Sequence, residues 1–72
     1  MSAASHFLTA RRDAAGLTSS ELARRVGVHR STVTRWEASP GVMTLEHLAA
    51  VVEVLDLDPV HVVALLALVR AT

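Results

Sequence analysis

The chain has 72 residues, no cysteine and a formal net charge of zero, and 51% of it is hydrophobic. A length of this order leads one to expect a single small domain over 1–72, marginal alone because folding at this size hides only about 60% of the unfolded surface. The composition excludes a disulfide framework and a thiolate metal site. No run reaches the roughly 18 apolar residues of a membrane helix, and the N-terminus lacks the charged-then-apolar pattern of a secretory leader.

In chain order, Ser2 to Ala15 reads as a first helix with an apolar side at Phe7 and Leu8, closed by Gly16. Thr18-Ser19-Ser20-Glu21 is a capping box, S/T-x-x-E, and opens a second helix. That helix places Leu22, Ala23 and Val26 on one face and Arg24 and Arg25 toward solvent, and Gly27 ends it. A third helix opens at His29 or a neighbour and runs through Ala38. Ser39-Pro40-Gly41 is a turn. Thr44 caps a fourth helix with Leu45, Leu48, Ala49, Val52 and Leu55 at helical spacing. Asp58-Pro59 is an N-cap followed by the residue favoured at the first helical position, and a fifth helix runs over 59–70. No strand, linker or internal repeat is read, so the fold class is all-α.

The zero net charge conceals a polarity. Residues 1–37 hold six arginines against three carboxylates, whereas 38–72 hold only Arg70 against Glu46, Glu53, Asp56 and Asp58. A basic half that suits phosphates is thus followed by an acidic half that does not. All the cationic side chains are arginine, as expected of a high-GC genome or of guanidinium chemistry.

The third helix carries the most chemistry. With Arg30 at zero and about 100° per residue, Thr34 falls near 40°, Ser31 near 100° and Arg35 near 140°, while Trp36 and Val33 fall near 240° and 300°. Two arginines and two hydroxyls therefore share a face opposite two core anchors. Arginine is a bidentate donor to guanine O6 and N7, and Ser or Thr can bond bases or phosphates. The same pattern also suits a plain solvated helix face.

The run Leu17–Glu37 weighs against the plain face. With Leu22-Ala23 in its second helix, Gly27-Val28 at the turn, Ser31-Thr32-Val33 in its third and Glu37 at the end, it resembles the helix-turn-helix of the phage Cro and repressor (XRE-like) family. Arg12, four residues before Gly16, and the later Leu45-Glu46-His47-Leu48 and Leu55-Asp56-Leu57 extend the resemblance over about 7–66. It implies a five-helix, lambda-repressor-like DNA-binding domain with its helix-turn-helix at about 18–38. It also implies base contacts by Arg30, Ser31, Thr34 and Arg35, and phosphate contacts by Thr18 and Ser19. His29 and Arg11 join the phosphate set, although capping or solvation suits His29 equally. Arg12 and Glu37 are expected to form a structural ion pair. Three positions depart from the family: Ser19 stands where glutamine is common, Arg11 where an apolar residue is more usual, and Ala38 to Met43 lacks basic residues.

The fifth helix has hardly any polar face. One side closes a core, and the other is expected to meet a second copy through Val62, Leu65, Leu66 and Val69; a core helix with some exposed leucine is the alternative. Nothing else points to catalysis. His6, His29, His47 and His61 lack metal spacing, the serines lack a nucleophile motif, and there is no glycine-rich phosphate loop. The expected protein is a cytoplasmic, nucleoid-associated, bacterial or phage-encoded regulator. It is expected to repress from an inverted-repeat operator on double-stranded DNA as a homodimer, with no cofactor, metal, membrane or small-molecule ligand. The runner-up is an antitoxin or partner-binding protein that uses the apolar fifth helix. A module that has lost DNA binding stands third.

Overall fold

Helix starts and stops in this chain are written in local chemistry, and a computed structural model shows them in use. It describes residues 3–71, with side chains for residues 6–68 and 70. The helices are α1 (Ala3–Ala14), α2 (Ser19–Val26), α3 (Arg30–Ala38), α4 (Leu45–Val54) and α5 (Pro59–Ala71), with a 3-10 turn over Pro40–Val42. Among the described residues there is no strand.

Three of these helices end the same way. The Gly16 N–H donates to Asp13 O at 2.9 Å and the Leu17 N–H to Arg12 O at 3.2 Å, around a left-handed Gly16. Gly27, at φ 88°, stops α2, with the Val28 N–H reaching Ala23 O at 2.9 Å. These reversals satisfy carbonyls that a helix end would otherwise leave bare. The end of α4 uses the same reversal without glycine: Asp56 adopts φ 51°, and the Leu57 N–H donates to Val52 O at 3.0 Å. Aspartate tolerates this left-handed conformation better than most residues.

The helices close around Leu8, Leu17, Leu22, Ala23, Val33, Trp36, Val51, Leu55, Leu57 and Leu65, all buried. α2 packs on α3 and α4, α1 packs on α3 and α5, and the 3-10 turn touches α1, α3 and α5. Its Pro40 is buried, so the Ser39-Pro40-Gly41 turn expected from sequence is part of the packing and continues through Val42. Trp36 sits 3% exposed, and its ring lies 5.2 Å from that of His47 on α4.

Two apolar faces differ from expectation. On α4, Val51 is the fully buried residue, whereas Leu45 is 81% exposed and Ala49 is exposed. Glu46 and Glu53 fall together on one side of α4, Val51 lies on the opposite side as α4 packs on α2, and Leu45 and Ala49 flank the carboxylates. On α5, Leu65 is fully buried and belongs to the core, which corrects its assignment to a partner surface. The outward side of α5 is instead Val60, Val63 and Leu66, with Val62 half-buried. The Val69 side chain lies outside the described residues.

This register predicts an asymmetry between neighbours on α5. Leu65→Ala should destabilise the fold by about 2–5 kcal/mol, the usual range for emptying a core leucine site. Val63→Ala, exposed in the single chain, should stay within about 0.5 kcal/mol at protein concentrations too low for self-association. Chemical denaturation of the two variants compares them directly, and equal costs would mean that α5 is rotated.

Candidate nucleic-acid interface

The second and third helices are held by one carboxylate. Glu37, near the end of α3, receives the Arg12 Nε–H at 2.7 Å on Oε1 and the Nη2–H at 3.2 Å on Oε2. The Thr9 hydroxyl donates to Oε2 at 2.7 Å, and the Ser19 hydroxyl reaches Oε1 at 3.4 Å. Arg12 also donates from Nη1 to the carbonyl of Leu17, at 2.8 Å, and sits 3.3 Å from Asp13. α1, the lead into α2, the first residue of α2 and the last turn of α3 thus meet at a single charge pair. Both side chains are largely buried, at 14% and 13% exposed.

This burial sets the protonation chemistry. Burial alone would raise the Glu37 pKa, but hydrogen bonds from Arg12 and Thr9 and the charge of Arg12 outweigh it and hold it below the usual carboxylate range. Arg12 is held above its ordinary value by its hydrogen bond to Glu37, against the effect of burial. Glu21 is also lowered, chiefly by the Thr18 backbone N–H that it accepts at 3.0 Å. The Thr18 oxygen accepts from the Glu21 N–H in return at 3.1 Å, so the capping box is complete.

With α3 fixed this way, Arg30, Ser31, Thr34 and Arg35 are all exposed, while Val33 and Trp36 are buried behind them. Ser19 joins Arg30, Ser31 and Thr34 in lining a groove where the start of α2 meets α3. The first amides of α2 have no partner inside the helix and carry the positive end of its dipole. Cationic, hydroxyl and amide groups are thus gathered on one side.

Not every residue expected on that side is there in the expected role. His29 caps α3: its Nδ1 accepts from the Ser31 N–H at 3.1 Å and lies 2.8 Å from the Ser31 hydroxyl. Capping, left open by the sequence, is what this nitrogen does. Ser19 turns its hydroxyl inward to Glu37 and is only half exposed. Arg11 is half-buried on α1. It lies one helical turn after Phe7, whose ring meets His61 of α5 at 6.1 Å, so it belongs to the α5 side of α1. Its Nε is shielded from water without a hydrogen-bond partner. The roles of Thr9 and Ser19 toward Glu37 were missed. The signal for Thr9 was present, since it stands three residues before Arg12 on the same helix.

Residues 3–66 match the family model described as a helix-turn-helix domain. The chain belongs to that family. This helix-turn-helix comprises α2, the turn at Gly27 and α3, the architecture of DNA-binding regulators. No match is found among curated proteins or solved structures. No described helix is long and apolar enough to cross a membrane. Among the described residues, no cluster of three or more His, Asp or Glu could hold a metal ion.

The helix-turn-helix should lose stability at acid pH through Glu37. A lowered folded pKa means that its contribution is complete above the unfolded carboxylate value, about 4.3, and is lost as pH falls through the folded value. Glu37→Gln should cost about 3 kcal/mol at pH 7, because it leaves Arg12 buried beside a neutral group. The gap between variant and parent should close toward pH 3. Urea titrations at both pH values test this, and a gap independent of pH would refute the assignment to this carboxylate.

Proposed function

We propose that the protein is a sequence-specific transcriptional regulator, a repressor of Cro type that binds an inverted-repeat operator through the major groove. The observation that carries this reading is the face of α3, where Arg30, Ser31, Thr34 and Arg35 stand exposed in front of Val33 and Trp36. Guanidinium groups there would take guanine O6 and N7, while Thr18 and the free amides of α2 would take an adjacent phosphate. The excess of arginine in residues 1–37 would favour approach from that side. The protein acts on double-stranded DNA with no cofactor, in a bacterial or phage-infected cytoplasm.

The same reading makes the protein a homodimer. Val60 at 75%, Val63 at 66% and Leu66 at 42% exposed leave an apolar stripe along α5, which two copies would cover by packing about a two-fold axis. Such a pair suits half-sites one DNA turn apart, about 34 Å. That stripe also supports a second reading, an antitoxin or partner-binding protein in which α5 meets a different chain.

Selection of bound duplexes from a random library at two salt concentrations tests the function. An inverted motif is expected, and recovery of no motif at either salt would remove the reading. Arg30→Ala or Arg35→Ala should each cost about 1–3 kcal/mol at its own base pair. Val63→Asp should shift sedimentation to that of a monomer while leaving the helical signal intact. An unchanged sedimentation coefficient would move the dimer surface elsewhere.

A further inference from the structure

We infer that Ser31 and Thr34 face DNA as hydrogen-bond acceptors only, so that they read exocyclic amino groups, adenine N6 or cytosine N4. This inference rests on the proposed major-groove reading. Each hydroxyl has one proton and two lone pairs, and in both residues the proton is already engaged inside the protein. A backbone N–H can only donate, so His29 Nδ1 is the acceptor where the Ser31 N–H meets it at 3.1 Å. Ser31 Oγ lies 2.8 Å from that same nitrogen, and the hydroxyl is therefore the donor in this contact. Thr34 Oγ1 donates to the Arg30 carbonyl one turn back, at 3.2 Å.

The consequence is a division of labour along α3. Arg30 and Arg35 have only donors and need base acceptors. Ser31 and Thr34 offer only lone pairs, and the major groove supplies just two donors, adenine N6 and cytosine N4. Phosphate oxygens, being acceptors, are not partners for these hydroxyls while the internal bonds stand. His29 is in this sense a positioning residue: it caps α3 and fixes which way the Ser31 proton points.

The test uses the selected operator and the full chain. Ser31→Ala and Thr34→Val each identify the base pairs whose preference depends on that hydroxyl. At those pairs, purine replaces adenine or 2-pyrimidinone replaces cytosine, which deletes the amino group. In separate duplexes, 7-deazapurines delete the N7 acceptor. Amino deletion should weaken the parent roughly fivefold beyond its effect on the matching variant, a ratio that cancels the lost Watson–Crick bond. Deletion of N7 should affect parent and variant alike. His29→Ala, which frees the Ser31 proton, should let that pair accept a base acceptor such as thymine O4 as well, and His29→Asn, which still caps, should retain the preference for an amino group. Parent-specific sensitivity to N7 deletion, or base preferences untouched by both hydroxyl variants, would overturn the inference while leaving the regulator reading in place. Failure to select any motif would remove both.

Discussion

The arrangement of the first three helices depends on the Arg12–Glu37 pair. Arg12 reaches Glu37 through two nitrogens and Leu17 through a third, and Glu37 gathers Thr9 and Ser19. A pair like this adds little net stability over a well-packed apolar substitute, since removing both charges from water is costly. Its value is geometric. The planar guanidinium and the carboxylate meet in one orientation, and that orientation sets how α3 stands against α1 and the start of α2. Val33 and Trp36 supply the burial behind α3, but greasy contacts alone tolerate sliding. The charge pair supplies the register.

The parts of the fold legible in the sequence were those that use chemistry within about four residues. Thr18 with Glu21, Thr44 ahead of α4 and Asp58 ahead of Pro59 all cap as their order implied, because a cap consults only its own turn. Gly16 and Gly27 stop helices for the same reason. The facing of α4 and α5 was not legible in this way. On α4 the carboxylates of Glu46 and Glu53 share one side and leave Val51 opposite, but apolar spacing alone also admitted Leu45, which the packed fold leaves exposed. Leu65 and Leu66 are likewise adjacent and chemically equal, and only the packed fold sends one inward.

The α3 face was read correctly as exposed, because two arginines and two hydroxyls contrast sharply with Val33 and Trp36. Its finer chemistry was hidden. Capping by His29 was one reading open in the sequence, but nothing in the order His29-Arg30-Ser31 says that the imidazole will also meet the Ser31 hydroxyl. Arg11 stands one turn from Phe7, whose ring meets His61 of α5. The Arg12–Glu37 pair came from the family resemblance. Partners 25 residues apart leave no periodic trace.

The brevity of the helices has a consequence for the chain's lifetime. α2 has 8 residues and α3 has 9, below the roughly 12–15 at which an isolated helix begins to persist in water. Neither can stand without the core shared with α1, α4 and α5, so the α3 face exists only when the whole fold does. Any ligand of that face therefore binds the folded state alone and stabilises all five helices together. In a cell, where proteases remove open chains, occupancy of that face would lengthen survival, and the quantity of protein would come to track the number of sites that hold it.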